Sequence, residues 1–168
     1  MRTIYESSHL LLLEDDDWQF VERKKGKSAV AVIAVTEDGD VILTEQYRRP
    51  VQARVIDWPA GLVGDEGNHD PEETAKRELA EETGHTCESV ELLASGPTSP
   101  GITSEIVSLY RARGVRKIGA GGGVGDEDIM VHLVARGEIE SWLKAKASEG
   151  MRIDQKLWGG LYFLMKST

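Results

Sequence analysis

The 168-residue chain predicts one α/β (α+β) domain, a mixed β-sheet sandwiched between helices with an N-terminal extension of antiparallel strands. Three observations carry this. Apolar runs of strand length interleave with helical stretches without the regular βαβ alternation of a parallel-sheet fold. One run, Ala29 to Val35 (AVAVIAV), is apolar at every position, as expected of a strand covered on both faces. The chain is also long enough to bury a core without disulfide or metal staples.

Thr3 to Glu6, His9 to Leu13 and Trp18 to Arg23 read as short strands parted by Ser7-Ser8 and the acidic turn Glu14 to Asp17, so residues 1–28 form the extension. After the apolar strand, Glu37-Asp38-Gly39-Asp40 turns the chain and Val41 to Gln46 returns it, which predicts a hairpin. Tyr47 to Trp58 is mixed, with Arg48, Arg49 and Arg54 close together, and Pro59-Ala60-Gly61 interrupts it. Leu62 to Asp70 is a polar, Gly-containing loop.

The clearest helix follows. Asp70 is placed to cap it, Pro71 suits a first position that needs no N–H, Glu73 completes a capping-box pattern, and Gly84 supplies the stop. Glu72–Lys76 and Glu73–Arg77 are favourable i,i+4 pairs, and Ala75 with Leu79 forms a short apolar stripe for packing. Strands are expected at Ser89 to Ser95, Ile106 to Arg113 and Ile129 to Val134. Two closing helices, Glu138 to Ala147 and Asp154 to Met165, place Trp142 and Trp158 toward the core. Gly119 to Gly125 (GAGGGVG) reads as a flexible loop; no Lys-Ser/Thr follows its glycines, so it is not a phosphate-cradling P-loop.

A formal charge of -9 argues against a nucleic-acid partner, which needs a basic face. It does not argue against small anionic substrates, because a divalent metal inverts the local field and clustered carboxylates are what a hard cation wants. No apolar run approaches the ~20 residues of a membrane span. The absence of a leader pattern and the single cysteine, Cys87, point to a reducing, cytoplasmic setting. His9, His85 and His132 have no ligand spacing and read as structural or surface groups, whereas His69 stands where it could touch a substrate.

On the predicted helix, Glu78, Glu81 and Glu82 fall at i, i+3 and i+4 and share a face, with Arg77 able to pair with Glu81. A solvated acidic surface is the plain explanation of such a trio. The surrounding residues change it: Arg77-Glu78-Leu79-Ala80-Glu81-Glu82-Thr83-Gly84 stands downstream of Pro59-Ala60-Gly61. Together these resemble the Nudix box, whose second half is matched at every fixed position. The early consensus glutamate is missing, its place falling on Gly67 or His69 in an interval two residues longer than the consensus. Glu66 is the nearby substitute, and His85 replaces the final apolar residue.

The resemblance implies a Nudix fold, Glu78 and Glu82 as ligands of Mg²⁺ (Mn²⁺ substituting), and the Ala60 carbonyl completing the shell. It makes Glu81 a further ligand or supporting partner and Arg77 the group that orients a glutamate. The flanks resemble the ADP-ribose pyrophosphatase branch: Glu45-Gln46-Tyr47-Arg48-Arg49-Pro50-Val51, Asp57-Trp58-Pro59-Ala60-Gly61, and Ser99-Pro100-Gly101-Ile102-Thr103-Ser104-Glu105 with its marker proline, Pro100. That likeness implies hydrolysis of a nucleoside diphosphate sugar, with ADP-ribose giving AMP and ribose 5-phosphate. Arg48 or Arg49 would clamp the pyrophosphate, Glu127 would be general base or additional ligand, and Glu105 would help position the site. The branch also implies a homodimer through the N-terminal strands, placing Trp18 against the neighbour's adenine; packing within its own domain is the other reading. Other NDP-sugars, dinucleotides or oxidised nucleotides are alternative substrates, and a non-catalytic ligand sensor is the alternative of another class.

Overall fold

A computed structural model describes residues 1–65, 67, 69–125 and 127–166. The N-terminal extension is a separate antiparallel sheet of β1 (Arg2–Glu6), β2 (Leu10–Asp15) and β3 (Trp18–Arg23). Two four-stranded sheets follow. One has the order β7-β4-β10-β9, formed by β4 (Ser28–Ile33), β7 (Ala60–Val63), β9 (Ser89–Pro97) and β10 (Ile106–Arg113). The other has the order β12-β5-β6-β13, formed by β5 (Asp40–Arg48), β6 (Ala53–Asp57), β12 (Ile129–Ala135) and β13 (Arg152–Ile153). Each is mixed, because β10 runs parallel to β4 and β13 parallel to β6 while the other pairs are antiparallel. A short ribbon of β8 (His85–Thr86) and β11 (Arg116–Lys117), with helices α1 (Pro71–Thr83), α2 (Ile139–Ser148) and α3 (Gln155–Lys166), completes the domain.

The alternation along β4 explains its wholly apolar sequence. Ala31 and Ile33 enter a core with Leu43, Ile56, Trp58, Leu143 and Leu157; Val30 and Val32 enter a second core with Ala75 and Leu79 of α1. Successive side chains point to opposite faces, so both faces are covered. Trp58 is fully buried at the centre of the first core, and its indole N–H donates to the Lys156 carbonyl.

Helix α1 starts as expected, with the Asp70 carboxylate accepting the Glu72 N–H at 2.9 Å, a cap whose loss typically costs ~1 kcal/mol. It stops at Gly84 (φ 70°). Lys76 pairs with Glu73, and Arg77 with Glu81 and Glu78.

Four sequence expectations need correction. Residues 29–46 do not form a hairpin within one sheet: β4 and β5 belong to different sheets, joined by a single bridge, Val35 to Val41. The chain is interrupted at Trp58-Pro59, between β6 and β7, but the break is shorter than expected, because Ala60 and Gly61 already pair with Ala31 and Val30 in β7. Trp158 is 41% exposed, on the outer side of α3. The glycine-rich stretch is docked on the helix end: the Gly122 and Gly123 N–H groups donate to the Glu82 and Glu81 carbonyls at 2.8 and 3.1 Å. Those carbonyls end a helix and have no partner within it.

Candidate active site

The helical period turns Glu78 and Glu82 onto the face of α1 pressed against β7, where they are buried (8% and 4% exposed) beside Ala75 and Leu79. The Glu82 carboxylate accepts the Ala60 N–H at 2.9 Å and the Gln46 side-chain amide at 2.8 Å. Gly61 is required by close approach: a Cβ there would stand 1.9 Å from Glu78 Oε1. Arg77 donates to Glu78 at 2.7 Å and to Glu81 at 2.6 Å, and lies 3.6 Å from Asp65.

Burial pushes the Glu78 carboxyl up to about 7, against the pull of Arg77. Burial likewise pushes Glu82 up to about 8, against its bond from Ala60 and the charge of Arg48. Desolvation disfavours the charged form, and the nearby positive groups offset only part of that cost. A hard dication with oxygen preference would supply the missing charge, so the donor set fits Mg²⁺ or Mn²⁺. Among the described residues no three His, Cys, Asp or Glu side chains converge into a ready cage. Two carboxylates would therefore anchor the ion, leaving other positions to backbone oxygen, water and substrate.

Glu78 and Glu82 open onto a pocket of about 790 Å³ whose wall also carries Asp57, Asp65, Glu105 and Glu127, with Arg23, Arg48, Arg152 and Lys156. The volume suits a small-molecule site. Glu127 reaches it from the end of the glycine-rich loop, its carboxylate accepting the Val124 N–H at 3.0 Å. Glu105 is tied to Arg23 of β3 at 2.8 Å, and Val21 exchanges backbone bonds with Ile102 and Ser104, so the N-terminal sheet rests on the 99–105 stretch.

The sequence-derived residues separate accordingly. Ala60, Glu78, Glu82, Arg48, Glu105 and Glu127 line the pocket. Arg77 stands behind Glu78, and Glu81 is turned onto Arg77, outside the pocket lining. The Ala60 N–H donates to Glu82, which holds this stretch of β7 beside the two carboxylates. Arg49 begins a 3-10 turn (Arg49–Val51) on the exposed surface, and neither it nor Pro100 lines the pocket. Trp18 is 61% exposed on β3, also away from the lining. Glu66 lies outside the described residues.

Residues absent from the sequence reading also shape the site. Gln46 holds Glu82, and its place inside the EQYR segment was the signal. Asp57, paired with Lys156 and largely buried in the pocket wall, begins the DWPAG segment. Burial alone would lower the Lys156 pKa, but Asp57 and Asp154 outweigh it and raise it. Arg23 carried no such signal.

The buried carboxylates of α1 are thus set against a Pro-Ala-Gly strand, over a pocket lined by both acidic and basic side chains. The NUDIX domain family model matches residues 25–150, and the chain belongs to this family. A methanol dehydrogenase activator of Bacillus methanolicus is 40% identical over 135 residues, 76% of this chain and 71% of its own length. The ADP-ribose pyrophosphatase of Bacillus subtilis (strain 168) is 42% identical over 88 residues, covering 52% of this chain and 46% of that protein. A GDP-mannose pyrophosphatase of Pectobacterium atrosepticum is 34% identical over 115 residues, 64% and 58% of the two chains. The chain thus spans about half the length of the two pyrophosphatases. The crystal structure of an ADP compounds hydrolase shares the fold, with a TM-score of 0.65 at 16% identity over 85% of this chain and 80% of that one.

Proposed function

We propose that the chain hydrolyses the pyrophosphate of a nucleoside diphosphate sugar, ADP-ribose foremost, in a Mg²⁺-dependent reaction. The observation that carries this reading is the pair of buried carboxylates, Glu78 and Glu82, opening onto one pocket with Arg48 and Glu127. Glu78 and Glu82 would hold the metal, with the Ala60 carbonyl completing its shell, Glu81 acting through Arg77, and Gln46 fixing Glu82. When bound, Mg²⁺ neutralises charge gathering on the diphosphate and makes a nearby water more acidic.

Arg48 clamps the diphosphate oxygens from the pocket wall. Glu127 takes a proton from the attacking water, whose oxygen bonds to one phosphorus as the bridging P–O bond breaks. AMP and ribose 5-phosphate leave. Loop residues carrying such a base commonly complete a site only with substrate present. Glu105, held by Arg23, supports the pocket edge. The exposed Tyr5, Leu10 and Trp18 of the N-terminal sheet support a homodimer in which Trp18 stacks on the base in a partner's site. The lone Cys87 is buried, with its thiol pushed up by burial, in keeping with an inert group and a cytoplasmic setting.

Similarity to a GDP-mannose pyrophosphatase favours another NDP-sugar as the second reading. A non-catalytic sensor would have no need of buried carboxylates that are costly to ionise. Release of monophosphate from ADP-ribose, GDP-mannose, other NDP-sugars and dinucleotides, with Mg²⁺ or Mn²⁺, tests this. ADP-ribose is expected to give the highest kcat/KM, with AMP as product and no turnover in EDTA. A higher kcat/KM for GDP-mannose would move the assignment to the second reading, and no turnover of any compound would leave the sensor.

A further inference from the structure

Glu127 stands just ahead of β12, and the side chain next to it is fastened to the sheet. The Asp128 carboxylate accepts Arg54 Nη1 at 3.1 Å. Arg54, on β6, is itself fixed from below: its Nε donates to Glu45, and Nη2 reaches the Glu45 carbonyl at 3.4 Å. Glu45 is 2% exposed, and its other oxygen meets His132 Nε2 at 2.8 Å, while the His132 ring packs on Trp142 with centroids 4.9 Å apart. The chain of contacts runs from the core beside α2 to the residue adjoining the proposed base.

The register places this anchor beside the metal-binding face. Ile129, next after Asp128, pairs with Gln46, the residue that holds Glu82; Met130 pairs with Glu45. At its other end the loop is docked on the last carbonyls of α1 through Gly122 and Gly123. Between the two anchors, Glu127 is held by a turn with Val124, its N–H donating to the Val124 carbonyl at 3.3 Å and its carboxylate accepting the Val124 N–H. That turn lays Glu127 against Gly123, whose N–H is bonded to the end of α1, so one side of Glu127 is referenced to the helix. On the sheet side, the backbone pairing that begins at Ile129 is joined by the side-chain contact Arg54–Asp128.

We propose that Arg54 and Asp128 are positioning residues that set the place of Glu127 over the Glu78–Glu82 face. This rests on the assignment of Glu127 as the base. An exposed ion pair ordinarily contributes little to stability, and Asp128 is exposed, so removing it should leave the fold intact while freeing the base.

The test is a cycle of variants assayed as AMP release from ADP-ribose at saturating Mg²⁺. Asp128→Ala is expected to lower kcat about tenfold, as small misplacements of catalytic groups do, with KM and the Mg²⁺ requirement unchanged. Asp128→Glu is expected to recover most of the rate. In a Glu127→Gln background, Asp128→Ala should add no further loss, because there is no base left to misplace. The proposal is overturned if Asp128→Ala keeps the parent kcat while Glu127→Gln is slow, or if the two losses multiply. A Glu127→Gln variant as fast as the parent would instead remove Glu127 from the chemistry, and with it the reason for the anchor.

Discussion

Glu82→Gln is expected to lower kcat for ADP-ribose by about 10²–10³-fold, the scale on which losing one preorganised electrostatic group acts, while the fold survives. The amide keeps the shape of the side chain and an oxygen for the Ala60 N–H, and Gln46 opposite can turn its own amide to match. The neutral side chain removes a ligand charge. It also removes a burden: burial has raised Glu82 to about 8. A carboxyl raised in this way contributes stability present below its unfolded value of 4.5 and lost as pH rises through the folded one. Without metal, the parent should therefore lose thermal stability between about pH 4.5 and 8 more steeply than Glu82→Gln. Parallel Tm–pH curves for the two proteins would show that Glu82 is not held in a desolvated site, and an unimpaired kcat would refute its part in metal binding.

Gly121→Ala is the second large effect, and it falls in a stretch that composition alone presents as tolerant. Gly121 has φ 73°, and a Cβ on it would lie 2.3 Å from the Thr83 backbone carbon. The αL strain alone costs roughly 1–3 kcal/mol, and the collision is with helix backbone, which cannot swing aside as a side-chain tip can. The loop must lift from the end of α1 or the helix must fray. Gly125→Ala is the control: its φ is 65°, but nothing lies within 4 Å of the added carbon, so only the intrinsic cost of about 1–2 kcal/mol applies. Gly121→Ala is expected to lower Tm by clearly more than Gly125→Ala and to open residues 119–125 to protease. Equal Tm losses for the two would mean the loop is not docked.

Local chemistry made much of this fold legible from sequence. The span of α1 followed from Asp70, Pro71 and Gly84, because capping and stop signals are set by neighbouring residues. The double-faced burial of β4 followed from its unbroken apolar run. The sheet to which β5 belongs did not follow, since a turn of Glu, Asp and Gly looks the same whether the chain folds back on its own strand or crosses to another sheet. The docked glycines were hidden for a related reason: glycine serves flexible loops and tight backbone approach equally, and only the position of the α1 carbonyls decides between them. At the site, the side chains that share one helix face were readable from spacing, and so was the i,i+4 pairing that turns Glu81 onto Arg77. Arg54 reaching Asp128 depends on a tertiary contact across the sheet that no local pattern announces.

The central claim, that Glu78 and Glu82 together hold a divalent cation, is tested most directly by Mn²⁺ binding measured through water-proton relaxation on the intact protein from pH 6 to 9. Their carboxyls, raised to about 7 and about 8, must lose protons to coordinate. Affinity is therefore expected to climb with pH through that range, level off above it, and vanish in Glu78→Gln/Glu82→Gln. Mn²⁺ bound as tightly by the double variant as by the parent would contradict the account.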